Sequence, residues 1–154
     1  MEFAFDNIFD LLTIAPHIVP EVLQKPSVRN PIAVSLGAIA GSLCRYYLSL
    51  WLPQVLGTDF PYATVAVNLS GSFAMGIIAT LVLERALLIS PEVRLLMAIG
   101  FLGSYTTFSS YELDTINLIR DFSWQKAIFY WFGSAISGFF FLYLGIIFAR
   151  IIKL

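Results

Sequence analysis

Between Ser90 and Ile119 runs a long apolar stretch with Gly100-Phe101-Leu102-Gly103-Ser104-Tyr105-Thr106-Thr107-Phe108-Ser109-Ser110-Tyr111-Glu112 at its centre. Each glycine costs a helix about 1 kcal/mol relative to alanine. Ser and Thr offer the backbone competing hydrogen bonds. The stretch therefore predicts a helix that continues to Gly100, breaks, and resumes near Phe108. Lipid tolerates a break only where the freed backbone lines a cavity or meets an ion.

Composition makes lipid the solvent. Of 154 residues, 58% are hydrophobic and 12% charged, about half the charged share of a water-soluble domain. Four apolar runs, about residues 31–52, 61–83, 92–119 and 124–151, reach the ~20 residues needed to cross a ~30 Å hydrocarbon core. The expected fold is an all-α membrane protein of four transmembrane helices, the third broken at mid-membrane. The net charge of −1 gives no electrostatic basis for a nucleic-acid partner. Cys44 is alone, so no internal disulfide forms.

Residues 1–30 read as a separate segment. Phe5, Ile8, Phe9 and Leu12 recur at helical spacing, which predicts a short helix on the membrane surface. Pro16, Pro20 and Pro26 then form a linker, and no basic n-region marks a cleaved signal peptide. The only histidine, His17, lies in that linker. No nucleophile–base or metal-ligand spacing occurs, so an enzyme is not expected.

In the first span, Gly37 and Gly41 form a small-xxx-small face for close packing, and Pro53 is expected to stop the helix. Arg45 either snorkels to the nearer interface or places its charge in a vestibule that attracts anions. In the second span, Thr58 or Asp59 is the expected cap and Pro61 falls in the first turn. Thr64, Asn68, Gly71, Ser72 and Met75 then make one small, polar stripe. That stripe reads either as interhelical hydrogen bonding or as the wall of a polar path. The third span opens on Ser90-Pro91-Glu92: a cap, a first-turn proline and an acid at the positive end of the dipole. Phe108 and Tyr111 share a face. Glu112 and Asp114 follow the break, and where the helix restarts relative to the bilayer decides whether they are helix-terminal acids near water or costly carboxylates at mid-membrane. In the fourth span, Tyr130, Ser134, Ser137 and Gly138 share a face.

These residues together resemble the Fluc (CrcB) family of fluoride channels, over about Ser35 to Phe148. The resemblance is carried by Gly41-Ser42-Leu43-Cys44-Arg45-Tyr46, by Thr64-Val65-Ala66-Val67-Asn68-Leu69-Ser70-Gly71, and above all by the Gly103–Ser110 core of the third span. It implies a multi-pass protein of the plasma (inner) membrane that lets cytoplasmic fluoride leave passively. The implied assembly is an antiparallel dimer with two pores. On its axis a structural sodium ion (Na+) would be held by the main-chain carbonyls of Gly103 and Thr106 and their symmetry mates. The implied fluoride pathway comprises Thr64, Asn68, Phe108, Ser110, Tyr130 and Ser134, with Arg45 in the vestibule. Tyr111 belongs to the same implied pathway, standing where the family usually has a second phenylalanine, with its ring edge expected to serve in its place.

Elementary chemistry agrees with such a pore. Fluoride is strongly hydrated, and amide and hydroxyl donors can replace its water without a fixed charge that would trap it. Aromatic ring edges carry positive potential towards an anion. Two other classes stay open: a proton-coupled small four-helix exporter, which needs an intramembrane acid, and a non-transporting assembly subunit. Charge distribution bears on the dimer. Lys25, Arg29, Arg85, Arg94, Arg150 and Lys153 flank one side of the membrane, and Arg120 and Lys126 the other. This skew favours one orientation by the positive-inside rule, so an oppositely inserted paralogue is the alternative to a homodimer.

Overall fold

A computed structural model describes Glu21 and residues 25–84, 89–121 and 123–152. The chain divides into two compact units, Met1–Ile32 and Ala33–Leu154. The surface helix expected over Phe5–Leu12 and the linker prolines Pro16 and Pro20 lie outside the described residues. Everything that follows concerns the second unit, except the start of its first helix.

Among the described residues every regular element is a helix. Helix α1 is Pro26–Leu56 and α2 is Tyr62–Glu84. Helix α3 spans residues 91–105 as an α-turn (Pro91–Arg94), a π-helical stretch (Leu95–Leu102) and a closing α-turn (Gly103–Tyr105). Helices α4 and α5 are Phe108–Arg120 and Trp124–Ile151. Among the described residues three helices are long and apolar enough to cross a membrane: Pro26–Leu56, Tyr62–Val82 and Trp124–Ile151. Helices α3 and α4 are each about 20 Å long, too short to cross alone.

Several helix ends follow the sequence, and others depart from it. Ser90 caps α3 as expected, its side chain accepting from the Val93 N–H. Pro53 does not stop α1. The helix runs on to Leu56 and ends at Gly57, whose φ of +85° suits glycine. A proline in a last turn removes one hydrogen bond, and membrane helices absorb that loss. Helix α1 also begins at Pro26 rather than Pro31. Pro61 precedes α2, its carbonyl accepting from the Val65 N–H at 3.2 Å.

Small residues set the packing. Gly37 and Gly41 bring α1 against α3, where a Cβ on either would overlap the main chain of Leu96 or Phe101. The π-helical stretch is the segment pressed there. Gly76 and Gly145 do the same between α2 and α5, against the backbone of Leu142 and Phe73. A buried cluster of Tyr111, Leu118, Ala127 and Tyr130 joins α4 to α5. Long apolar side chains such as Phe129, Phe132 and Ile136 point outward, as lipid requires. Glu84 and Arg150 pair at 2.7 Å and tie the ends of α2 and α5.

Candidate functional site

The break between α3 and α4 is two residues long. Thr106 (φ −78°, ψ 157°) and Thr107 (φ −149°, ψ 118°) are both extended. The glycines do not make it. Gly100 lies inside the π-helical stretch, and Gly103 keeps helical angles (φ −62°, ψ −28°). Side-chain hydrogen bonds make it instead, as competition between hydroxyl and backbone predicts. Thr107 caps α4, its Oγ1 accepting from the Ser110 N–H at 3.2 Å. Asn68, from the middle of α2, docks its amide on the Thr107 backbone. Its Oδ1 accepts from the Thr107 N–H at 2.8 Å, and its Nδ2 donates to the Thr107 carbonyl at 3.0 Å. One Nδ2 hydrogen remains for another acceptor.

Three cavities meet at Phe108, whose ring stands 74% exposed. The first, about 270 Å³, is walled by the α2 stripe of Asn68, Gly71, Ser72 and Met75 and by Thr106 and Thr107. The second, about 330 Å³, shares Asn68 and Ser72 and adds Tyr111, Ser134 and Gly138. The third, about 730 Å³, lies on the α1 side with Ser42, Arg45, Gly103, Thr106 and Ser109. The structure thus gathers Asn68, Phe108, Tyr111 and Ser134 around one cavity, and Arg45 with Gly103 and Thr106 around another. The walls of the first two carry amide and hydroxyl groups beside aromatic edges, without a basic side chain.

Thr64, Ser110 and Tyr130 are placed elsewhere. Thr64 and Ser110 line a polar basin of about 740 Å³ with Asp59, Asp114, Asp121 and Lys126. Asp114 Oδ2 accepts from Thr64 Oγ1 at 2.6 Å and from the Tyr130 hydroxyl at 3.3 Å. Asp114 is therefore no terminal acid in open water. It sits within α4, half-buried, and two hydroxyls offset the cost of its burial. Glu112 reaches the Trp131 indole at 3.4 Å. Thr107 carries no distinguishing signal in the sequence, being one of several adjacent hydroxyls. Asp114 stands on a face with Ser110, one turn earlier.

Tyr111 is 7% exposed, and its hydroxyl donates to the Trp131 carbonyl in α5. Its ring packs 5.7 Å from Phe108 and 5.3 Å from Tyr130. That hydroxyl is a brace and not a donor to the cavity. Trp131 lies inside α5, where its carbonyl keeps a helical partner, so Tyr111→Phe strands no polar group. Ion flux through this variant is expected to equal or exceed that of the parent, with stability lowered by about 1 kcal/mol. Paired flux and thermal-unfolding measurements test this. A tenfold loss of flux would make the hydroxyl part of the path.

Residues 32–146 match the family described as CrcB-like protein, Camphor Resistance (CrcB). The chain is 57% identical over 130 residues to the fluoride-specific ion channel FluC of Trichormus variabilis, covering 84% of this chain and 95% of that protein. It is 53% identical over 129 residues to the FluC of a Synechococcus species, covering 84% and 98%. Against the FluC of Synechocystis sp. it is 46% identical over 124 residues, covering 80% and 95%. The match spans α1 to α5 and the break between α3 and α4, and the chain belongs to the CrcB family of multi-pass membrane proteins.

Proposed function

We propose that this protein is a fluoride-selective passive channel of the plasma membrane that lets cytoplasmic fluoride leave. The observation that carries the reading is the Asn68-clamped helix break, with Phe108 and a hydroxyl-lined wall beside it. The names of the relatives, fluoride-specific ion channels, point the same way. The second Nδ2 hydrogen of Asn68 and the Ser72 and Ser134 hydroxyls are suited to replace the ion's water, and the Phe108 edge to face it. The N-terminal end of α4 favours an anion, and Arg45 raises anion concentration at one mouth. Thr64, Ser110 and Tyr130, gathered with Asp114, belong to the far end of the path. There the Thr64 and Tyr130 hydroxyls must leave the carboxylate to meet an ion.

Proteoliposomes loaded with fluoride or chloride salts test the reading directly. Fluoride is expected to leave at least about 100-fold faster than chloride, a difference of roughly 2.7 kcal/mol, with no need for a pH gradient. Equal chloride efflux would overturn the selectivity. Flux that requires a proton gradient would instead favour the exporter, with Asp114 as its acid.

The assembly we propose is an antiparallel dimer with a structural sodium ion between the copies, held by Gly103 and Thr106 carbonyls. The donor set fits a hard monovalent cation: main-chain oxygens at the negative, C-terminal end of α3. Among the described residues no group of three or more His, Cys, Asp or Glu side chains could hold another metal. Both orientations are then required. In a Cys44→Ser background, a cysteine added after Leu154 is expected to be labelled from both sides of the membrane in cells making this chain alone. Labelling from the cytoplasm only, with no flux, would indicate an oppositely inserted paralogue.

A further inference from the structure

An unbroken α-helix through residues 103–110 would send the N–H of residue 107 to Gly103 O and that of residue 110 to Thr106 O. Here both donors are taken by other acceptors. The Thr107 N–H goes to Asn68 Oδ1 at 2.8 Å, and the Ser110 N–H goes to Thr107 Oγ1 at 3.2 Å. The Thr106 N–H meanwhile closes the last turn of α3 on Leu102 O at 3.1 Å, joined there by Thr106 Oγ1 at 3.0 Å. One residue is thus the pivot of both diversions, through its amide on one side and its hydroxyl on the other. Thr107 is 8% exposed, so neither group has ready access to solvent. Gly103, Thr106 and Thr107 line the same cavity.

We propose that Thr107 is a positioning residue for cation binding: with its N–H held by Asn68 and its hydroxyl holding the Ser110 N–H, the Gly103 and Thr106 carbonyls are left for a monovalent cation. The proposal rests on the sodium reading above and extends it to a side chain that never touches the ion. The Thr107 hydroxyl is the part that substitution can reach. Without it the Ser110 N–H loses that acceptor, and Thr106 O is the one a continuous helix would offer it. Sodium binding should weaken while the apolar packing stays the same.

The experiment is thermal unfolding of the full chain in detergent, with sodium titrated against N-methylglucamine at constant ionic strength. A ligand that binds only the folded state raises Tm in proportion to its occupancy. The parent protein is expected to gain stability with sodium. Thr107→Val, which keeps the shape and loses the hydroxyl, is expected to need at least about tenfold more sodium for the same rise. Thr107→Ser, which restores the hydroxyl, should stay within about threefold of the parent. A valine variant with the parent's sodium dependence overturns the proposal, as does a serine variant as impaired as the valine one. If Thr107→Val does not fold, Thr107→Cys replaces it, the thiol being a weak acceptor; an intermediate shift supports the proposal and no shift overturns it. Absence of any sodium response in the parent overturns the sodium reading and this proposal with it. Fluoride flux, measured separately, would still decide the channel reading.

Discussion

Replacing Asn68 with alanine is expected to lower fluoride flux by about 100-fold or more. Two losses combine at this position. The cavity loses its amide donor, and the Thr107 N–H and carbonyl both lose their partner across 39 residues of sequence. Thr107 is buried, and each unpaired buried main-chain group costs about 1–3 kcal/mol. The backbone escapes that cost by drawing residues 106 and 107 back towards helix, which turns Phe108 away from the three cavities it borders. Tyr111→Phe serves as the control, because the group it leaves behind stays hydrogen-bonded. Efflux from proteoliposomes, with size-exclusion profiles to establish equal folding, gives the comparison. An alanine variant that folds and conducts normally would reduce the contact to packing.

Periodicity made the α2 stripe legible. Asn68, Gly71, Ser72 and Met75 do line one wall, since helical spacing fixes which residues share a face. The Ser90 cap was legible for the same local reason, being written in three consecutive residues. The position of the break was not. Glycine and hydroxyl residues fill Gly100 to Ser110, and each loosens a helix. Which of them wins depends on a partner from α2 that adjacent residues cannot reveal. The place of Asp114 was open in the sequence for a related reason. A carboxylate is costly in lipid only while unpaired, and its partners Thr64 and Tyr130 come from two other helices. The stop expected at Pro53 failed because a single lost hydrogen bond in a last turn is too small a penalty to end a helix there.

Gly100 and Gly103 look alike in the sequence, but their replacements are expected to act in opposite places. A Cβ built on Gly100 lies 2.5 Å from the Val34 carbonyl oxygen and 2.9 Å from the Gly37 Cα. Both obstacles are main chain on α1 and cannot rotate away, so the two helices must part. Gly100→Ala is expected to cost roughly 3 kcal/mol or more, a fall in Tm of about 10 °C for a chain of this size. A Cβ on Gly103 meets only the Ala98 oxygen at 3.8 Å, in an ordinary helical conformation. A side chain there is accommodated by the protomer and gains up to about 1 kcal/mol of helix propensity. Gly103→Leu should therefore leave helix content and protomer packing intact. If a second copy brings its own Gly103 to a shared cation, the leucine fills that space and the variant runs as a monomer. Light scattering coupled to size exclusion separates the two effects. A Gly103→Leu dimer as stable as the parent would remove residue 103 from the interface, whereas a Gly100→Ala protein with unchanged Tm would contradict the backbone contact between α1 and α3.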